Sequence, residues 1–439
     1  MTELRCRVVA CVWAALACPS PAAADEAALR ADAARMESRI DALSAFGANP
    51  DGGVSRVAYS DADLAGRDYI KSLMREAGLA VRVDPAGNII GRREGSQPGL
   101  PPIMFGSHVD SVPGGGNYDG DVGVIGAIEV AQLLDEHGVL TRHPLEVVSF
   151  TDEEGGLIGS LAMTKGLRES TLDVVSHSGY TIREGIRRVG GDPAELGRPL
   201  RQAGDLAAFI ELHIEQGAVL DERGIDIGVV EGIVGIHWWD VVIDGFANHA
   251  GTTPMDRRSD ALVTAAGLVL AINRIARETP GRQVATVGRI RAEPGAPNVI
   301  PGRVVMSLEI RDLDAAKIRS VFRDIGVEAE RLTERRQTSV RFEQVDVASE
   351  PAPTDPAMRR IIASAARELG LSAELMPSGA GHDAQDMTVI APTGMIFVPS
   401  VDGVSHSPRE FTTADDMANG ATVMLYTVLA IDGGALQAD

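Results

Sequence analysis

The residues best suited to chemistry in this sequence are histidines and carboxylates that follow short apolar runs. His108 comes directly after the apolar run 102–107, and Asp119 follows it by eleven residues. A neutral imidazole at a strand end and a carboxylate at a helix start can bind one metal ion together. Asp110, two residues beyond His108, is predicted to accept the other ring N–H of His108 and so fix its tautomer.

A second group is the acidic run Asp152, Glu153 and Glu154, which comes directly after the apolar run 145–151. Adjacent acids at the end of a buried strand repel one another unless a cation is present. One carboxylate can bind a metal while its neighbour takes a proton from bound water. A solvated charge run is the alternative, which the preceding apolar strand disfavours.

Two more histidines are ambiguous when taken singly. His213 follows the apolar run 207–212, and His406 lies in a loop after the predicted strand 395–399. A histidine in such a position is more often a core residue than a ligand. A serine triad is disfavoured because the chain has no Gly-x-Ser-x-Gly motif. Phosphate binding at the glycines 114–116 is disfavoured because no Gly-Lys-Ser/Thr follows them.

The elements that must position these residues alternate between strand and helix. Strands are predicted at 80–84, 87–92, 102–107 and 145–151, and helices cover most of 25–79, chiefly 62–76, and 120–137. This order predicts an α/β domain with a mostly parallel, mixed sheet. Ligands bind such sheets beyond the carboxyl ends of the strands, where His108, Glu154 and His213 would lie.

The pattern changes between residues 236 and 349. Strands at 238–245, 283–290, 303–311 and 339–347, with helices at 260–276 and 313–333, give a β-α-β-β-α-β order. That order is typical of a ferredoxin-like α+β domain, here inserted into the first. The predicted boundaries are 1–24 for a leader, 25–235 and 350–439 for the metal-binding domain, and 236–349 for the inserted domain.

The net charge of the 439-residue chain is -21. That excess of acid argues against nucleic acids and anionic membranes as partners, because both favour Lys and Arg.

The N-terminus is typical of a cleaved secretory signal. Arg5 and Arg7 precede an apolar run at 8–18, and three alanines at 22–24 follow. A membrane anchor is the alternative, but the run is far short of the roughly 20 residues that span a bilayer. Lipoprotein processing at Cys18 is a second alternative. We therefore expect a periplasmic or secreted protein, without membrane contact after cleavage and without any of the three cysteines, all of which lie in this segment.

Taken in order, the four segments around His108, Glu154, His213 and His406 resemble the M20 metallopeptidase clan, and within it the hydantoinase/carbamoylase amidase family. The resemblance covers nearly all of the chain after the predicted signal. The segment 212–217, Leu-His-Ile-Glu-Gln-Gly, is the part most specific to the amidase branch. Members of that family include N-carbamoyl-L-amino-acid hydrolases, allantoate amidohydrolases and β-ureidopropionases.

The resemblance implies two divalent metal ions. Zinc is the first expectation, and manganese, cobalt and nickel are the alternatives. By motif position, one ion would be held by His108 and His213, the other by Glu154 and His406, and Asp119 would bridge the two.

The resemblance also implies roles for residues around the metals. Glu153 matches the general base. The inserted domain would act as a lid, carrying the motifs 248–255, 295–302 and 309–312. The implied roles are His249 polarising the scissile carbonyl, Asn298 and Arg311 clamping the substrate carboxylate, Gln216 touching the substrate or orienting a ligand, and His382 contacting the substrate. A surface ion pair with Glu309 or Asp312 is the alternative for Arg311.

The implied reaction is hydrolysis of a linear amide, foremost the ureido group of an N-carbamoyl-L-amino acid or a related ureido acid such as allantoate. The alternatives are an exported aminoacylase or dipeptidase of the same clan, acting on N-acyl amino acids or dipeptides, and a binding module without catalysis. The segment 155–160 is shorter than in the family and lacks its Arg-Phe pair, and Leu161 stands where Arg or Lys is common, so the substrate side chain stays open. The resemblance also implies a homodimer through the lid.

Overall fold

The structure is a computed structural model that describes residues 29–345 and 349–437. The predicted signal segment 1–24 lies outside the described residues. Within the described ranges, every helix is too short or too polar to cross a bilayer.

Sixteen strands and twelve α-helices make up the described chain. The strands are β1 (Ala80–Val83), β2 (Ile89–Arg93), β3 (Ile103–His108), β4 (Leu145–Phe150), β5 (Ala208–Ile214), β6 (Ile227–Ile233), β7 (Gly235–Asp244), β8 (Asn248–His249), β9 (Val284–Thr286), β10 (Ile290–Glu293), β11 (Val299–Ile300), β12 (Arg303–Asp312), β13 (Ser339–Gln344), β14 (Ala352–Pro353), β15 (Ala373–Ser378) and β16 (Thr393–Val398). The helices are α1 (Ala33–Ser44), α2 (Asp61–Glu76), α3 (Asp121–Glu136), α4 (Ile158–Thr164), α5 (Glu169–Leu172), α6 (Ile182–Arg188), α7 (Val219–Arg223), α8 (Ala261–Glu278), α9 (Ala315–Arg336), α10 (Pro356–Glu368), α11 (Asp383–Met387) and α12 (Ala414–Asp432).

A nine-stranded sheet forms the larger domain, in the order β1-β2-β4-β3-β5-β16-β6-β14, with β15 beside β6. Its centre is parallel, because β3 pairs in parallel with β4 and β5, and β5 with β16. Every residue of these four central strands is buried. Buried parallel strands of this kind need helices on both faces, which explains their continuous apolar runs. The prediction of a mostly parallel, mixed α/β sheet is confirmed.

The helices of the larger domain hold the sheet from both sides. On one face α3 and α12 pack together against the central strands, with α1 and α10 beside them, while α4 and α11 cover the other face. The segment 45–60 between α1 and α2 is irregular, so the prediction that helix covers most of 25–79 was too broad.

The second sheet has the order β10-β12-β7-β13, with β9 also paired to β12. The elements β7, α8, β9, β10, β12, α9 and β13 follow the β-α-β-β-α-β order, with α8 and α9 packed against the sheet. The prediction of one strand at 283–290 was wrong. Residues 287–289 interrupt it, so the segment forms two short strands, β9 and β10. A separate two-stranded ribbon pairs β8 with β11.

Candidate metal centre

The carboxyl ends of the central parallel strands bring the five predicted ligands together. His108 is the last residue of β3, and His213 the penultimate residue of β5. The other three lie in loops: Asp119 just before α3, Glu154 after β4 and His406 after β16. Neighbouring parallel strands end at one edge of a sheet, so residues far apart in the chain meet there.

Asp119 lies at the middle of this group. Its Oδ1 is 3.5 Å from Nε2 of His108 and 3.1 Å from Nε2 of His213. Its Oδ2 is 3.1 Å from Nε2 of His406, which in turn is 3.6 Å from Oε1 of Glu154. Two overlapping sets of possible ligands result, one with His108 and His213 and one with Glu154 and His406, and both contain Asp119. A carboxylate with one oxygen towards each set is suited to bridge two ions.

The two buried histidines offer the donor atoms that a metal needs. Nδ1 of His108 lies 3.0 Å from the carbonyl oxygen of Asp110, and Nδ1 of His213 lies 2.9 Å from that of Ile214. With Nδ1–H donated to a carbonyl, the lone pair of a neutral imidazole is on Nε2. Nε2 of His108 is buried without a hydrogen-bond partner. The side chains present therefore fit a divalent metal.

The buried carboxylates of the centre also favour the binding of a cation. Burial raises the pKa of Glu154 to about 7 and the pKa of Glu153 well above its usual range. Burial would also raise the pKa of Asp119, but hydrogen bonds from His108 and the other two histidines hold it well below the usual range. A divalent ion would replace the protons that these crowded acids and imidazoles otherwise share.

Glu153 lies beside the predicted ligands. Its carboxylate Oε2 is 3.8 Å from Nε2 of His108, and the residue is almost fully buried. A buried carboxylate next to a metal-bound water would have the position and the raised proton affinity that a general base needs.

Asp110 contacts His108 through its backbone and the acidic segment through its side chain. The carbonyl oxygen of Asp110 contacts the ring of His108, while the nearest carboxylate oxygen is 3.8 Å away. The carboxylate instead accepts the backbone N–H groups of Glu153 and Glu154, each at 3.2 Å. Asp110 therefore accepts the other ring N–H of His108, as predicted, through its backbone carbonyl oxygen. Its carboxylate holds the acidic segment.

Three residues of the site have left-handed backbone conformations that non-glycine residues rarely adopt. The φ angles are 54° at Asp152, 57° at Gln216 and 52° at His406. Such conformations cost about 1–3 kcal/mol each and persist where the surroundings enforce them. At Gln216 this backbone directs the side chain to the centre, where Nε2 donates to Oδ2 of Asp119 at 2.6 Å.

The lid residues His249 and Asn298 are exposed and lie on the β8–β11 ribbon or next to it. In the described chain neither makes a hydrogen bond or ion pair with the five predicted ligands, so this structure does not bring them to the centre. Nδ1 of His249 accepts the backbone N–H groups of Gly251 and Thr252, at 3.0 and 3.2 Å. The proton of the neutral ring is therefore on Nε2, which is free to donate.

Arg311 forms the ion pair considered as the alternative for it and also lines a cleft. Its guanidinium pairs with Glu309 at 2.8 Å and also donates to the carbonyl oxygen of Gly379 at 2.6 Å. It also lines a cleft of about 500 Å³ together with Gln216. The cleft therefore extends from a residue that contacts the carboxylate of Asp119 to a cation on the lid.

His382 lies behind His213 instead of in the cleft. The two rings are 4.4 Å apart, and Nε2 of His382 is 2.8 Å from Oγ of Ser378. Burial and the neighbouring His213 hold the pKa of His382 well below its usual range. A neutral, fully buried ring supports His213, and direct substrate contact, as expected from the sequence, would require it to move.

Sequence reasoning missed Glu410. Its buried carboxylate accepts hydrogen bonds from the backbone of Asp119 and from the loop that carries His406. Gly116 leaves room for it, since a Cβ there would lie 2.1 Å from Oε1 of Glu410. The only signal in the sequence was a single acid shortly after a candidate histidine, which is too common to be informative.

Comparison with protein families gives one match over most of the chain. The model described as peptidase family M20/M25/M40 matches residues 104–430.

Individual relatives and solved structures are similar over nearly the whole chain. The N-carbamoyl-L-amino acid amidohydrolase of Geobacillus stearothermophilus is 42% identical over 405 residues, which are 91% of this chain and 98% of that protein. The ureidoglycolate hydrolase of Arabidopsis thaliana is 38% identical over 412 residues, 91% of this chain and 87% of that protein. A crystal structure of an amidase of the hydantoinase/carbamoylase family from Burkholderia multivorans superposes with a TM-score of 0.85 at 38% identity, covering 92% of this chain and 98% of that one.

Proposed function

The chain belongs to peptidase family M20/M25/M40, and from that premise we propose that it is a metal-dependent amidohydrolase that cleaves the ureido group of an N-carbamoyl-L-amino acid or a related ureido acid such as allantoate. The observation that carries the proposal is the pair of ligand sets that share Asp119, with Glu153 beside them. The ureido substrates in the names of its relatives support the type of bond.

Two divalent ions at this centre would supply Lewis acidity, which makes hydroxide available near neutral pH and polarises a carbonyl group. Zinc suits the mixed histidine and carboxylate ligands first, with manganese, cobalt and nickel as alternatives. Metal analysis of the purified protein tests this assignment. A protein without bound metal and without chelator-sensitive activity would favour the non-catalytic alternative.

Glu153 would take a proton from the attacking water and deliver it to the nitrogen that leaves. The bond from the ureido carbon to the amino-acid nitrogen breaks, which releases the amino acid and carbamate, and carbamate decays to ammonia and carbon dioxide. The Nε2–H group of His249 would donate to the oxyanion once the lid brings it to the centre.

The residues of the cleft beside the centre favour a substrate that carries a carboxylate. Arg311 carries a planar guanidinium group, which would bind the substrate carboxylate by exchanging its pair with Glu309 for the substrate. Gln216 lines the same cleft and contacts Asp119. A ureido acid has its carboxylate a few bonds from the carbonyl that is attacked, so one small molecule could reach both.

The variant Glu153→Gln tests the mechanism. We expect kcat to fall by about 10²–10⁴-fold, the usual contribution of a general base, while the metal content stays at the wild-type level. The matched control is Glu146→Gln, which removes another buried glutamate from the opposite end of β4. Turnover close to wild type in metal-loaded Glu153→Gln would contradict the proposed role.

A substrate panel separates this proposal from its nearest rivals. Ammonia release from N-carbamoyl-L-amino acids and allantoate is expected, with little amino-acid release from dipeptides or N-acetyl amino acids. The reverse pattern would favour an aminoacylase or dipeptidase.

We also propose that the chain is exported to the periplasm or secreted. The support is the order of Arg5, Arg7, the apolar run 8–18 and the alanines at 22–24. Sequencing the N-terminus of the mature protein tests this, and an intact Met1 would contradict it.

A homodimer through the lid is proposed as well. The outer face of α8 exposes Leu262, Val263 and Leu270, a set of apolar side chains that a second copy could cover. Light scattering of the wild-type protein and of Leu270→Glu tests it. A monomeric wild type would contradict the assignment.

A further inference from the structure

We propose that Glu410 is a positioning residue that joins the loop of Asp119 to the loop of His406 and so sets the affinity of the metal position formed by Glu154 and His406. The inference rests on the proposed function, because it takes that centre to hold two metal ions. In the described part of the chain, the contacts of Glu410 reach backbone N–H groups and a serine hydroxyl, and none reaches a side-chain atom of the five predicted ligands. Glu410 is therefore not counted as a ligand.

Both carboxylate oxygens of Glu410 are used, and each serves one loop. Oε1 accepts the backbone N–H groups of Tyr118 and Asp119 at 2.9 and 3.0 Å. Oε2 accepts the hydroxyl of Ser405 at 2.8 Å and the backbone N–H of His406 at 3.2 Å. One side chain therefore joins two loops whose ligands are nearly 300 residues apart in the chain.

The two metal positions differ in how firmly the fold holds their ligands. The side chains of His108 and His213 are each 1% exposed and lie on central strands. The side chain of His406 is 48% exposed and lies in a loop. The position that includes His406 therefore depends more on local restraints.

His406 is also the ligand with a strained backbone. Its φ of 52° is in the left-handed region, and its backbone N–H donates to Glu410. Without that hydrogen bond the loop would be free to relax towards an ordinary conformation, and the imidazole would leave the position where it faces Asp119 and Glu154. The backbone of Asp119 is held by a further hydrogen bond, because its carbonyl oxygen accepts the N–H of Asp121 at the start of α3.

The variant Glu410→Gln is nearly isosteric and isolates this effect. An amide has one oxygen that accepts and one nitrogen that only donates, so in either orientation two of the four donors lose their acceptor. Removing the outer partners of metal ligands typically lowers metal affinity by about 10–100-fold. We expect that loss at the His406 position and little change at the His108 position.

Asp84→Asn is the matched control. Asp84 is a buried carboxylate that accepts the N–H groups of Ala86 and Asn88 and the side-chain amide of Asn88, in a turn between β1 and β2. The substitution removes an acceptor from a similar hydrogen-bonded network without touching either ligand loop. Any general effect of losing a buried carboxylate on folding would therefore affect both variants.

The experiment is a titration of chelator-treated protein with Zn²⁺ and with Co²⁺, followed by calorimetry and by the visible absorption of bound cobalt. Wild type and Asp84→Asn should bind two ions per chain. Glu410→Gln should bind the first ion as wild type does and the second about 10–100-fold more weakly, and excess metal should restore its activity. Glu410→Asp keeps the charge but is one methylene too short to reach both loops, so it should show a similar loss.

Two ions bound with wild-type affinities in both Glu410 variants would overturn the inference. Equal weakening of both ions, or the same loss in Asp84→Asn, would overturn it as well. A wild-type protein that binds no metal would contradict the proposed function itself, which keeps the two failures distinguishable.

Discussion

The cleft beside Gln216 and Arg311 leads us to expect a substrate with an apolar side chain. Five apolar residues line it, namely Val219, Leu375, Met376, Pro377 and Ala380. Of these, Leu375 is 54% exposed and Val219 38% exposed, so the cleft presents apolar surface to solvent. A substrate side chain that covered this surface would gain hydrophobic free energy.

The arginines of the same cleft are already paired with glutamates. Arg223 pairs with Glu374 at 2.5 Å, Arg282 pairs with Glu231, and Arg311 pairs with Glu309. The first carboxylate of a substrate would displace Glu309 from Arg311, and a second carboxylate, as in N-carbamoyl-L-aspartate, would have to break a further pair to be neutralised. We therefore expect it to be a poor substrate.

The magnitude follows from the area that the cleft can cover. Full burial of a leucine side chain contributes about 1.5–3 kcal/mol. N-carbamoyl-L-leucine should therefore exceed N-carbamoylglycine in kcat/KM by about 10–100-fold, since each 1.4 kcal/mol is a factor of ten. Leu375 forms one wall of the cleft, so Leu375→Asp should remove about 1 kcal/mol of that preference, or about fivefold.

The assay is ammonia release from the two substrates in parallel, with wild type, Leu375→Asp and the control Leu140→Asp. Leu140 is another exposed leucine, in the loop after α3 and outside the cleft. The leucine-to-glycine ratio of kcat/KM should fall only in Leu375→Asp. The reasoning fails if wild type prefers N-carbamoylglycine, or if both variants leave the ratio unchanged while hydrolysis proceeds.

Three further expectations concern Asp110, the bound metal and the buried carboxyl of Asp63. Asp110→Asn, assayed with excess metal, should lower kcat by about 10-fold or more with little change in KM, because two backbone N–H groups of the acidic segment lose a charged acceptor; unchanged steady-state kinetics would contradict this. Chelation should lower the melting temperature, and a metal at 100 times its Kd should restore about 2.7 kcal/mol of stability; equal melting of the apo and loaded forms in calorimetry would refute it. Burial raises the pKa of Asp63 from 3.8 to about 6, so the folded state binds this proton more tightly than the unfolded state does. Wild type should therefore lose stability relative to Asp63→Asn as the pH rises from about 4 to about 6 and stay level above that, and parallel urea midpoints across this range would be the contrary result.

The positions of the ligands could be predicted because strong local signals fix the elements that carry them. The apolar runs that become β3, β4 and β5 are continuous, and a continuous run marks a strand buried on both faces. The ends of parallel strands then meet at one edge, which brings His108, Glu154 and His213 together whatever the details of the loops.

Two features of the site had no such signal. The spacing of Asp110 from His108 predicts that the residues are close, but it does not decide which atom of Asp110 faces the ring. The contacts of Glu410 join segments from opposite ends of the domain, and long-range hydrogen bonds of a single acid leave no periodic pattern in the sequence.

In the lid, too, the sequence pattern predicted which residues share a face but not all the contacts that they make. The alternation along β12 places Glu309 and Arg311 on one face, so the pattern suggested an ion pair, while the family resemblance implied a substrate clamp. The structure has the ion pair and also places Arg311 in the cleft, so the two interpretations are not exclusive. The predicted strand at 283–290 is interrupted where its two halves pair with β12 in registers one residue apart, Thr286 with Glu309 and Ile290 with Met306, which a local pattern does not reveal.

The place of β16 between β5 and β6 sets an order of events during synthesis. On the ribosome, β5 and β6 emerge before the inserted domain, while β16 and His406 emerge after it. The gap between β5 and β6 therefore stays open until nearly the whole chain has been made, and the ligand set with Glu154 and His406 is the last to be completed. If the chain is exported unfolded, as proposed, the same order applies as it emerges on the far side of the membrane, and the ions available in that compartment would determine which metal it holds.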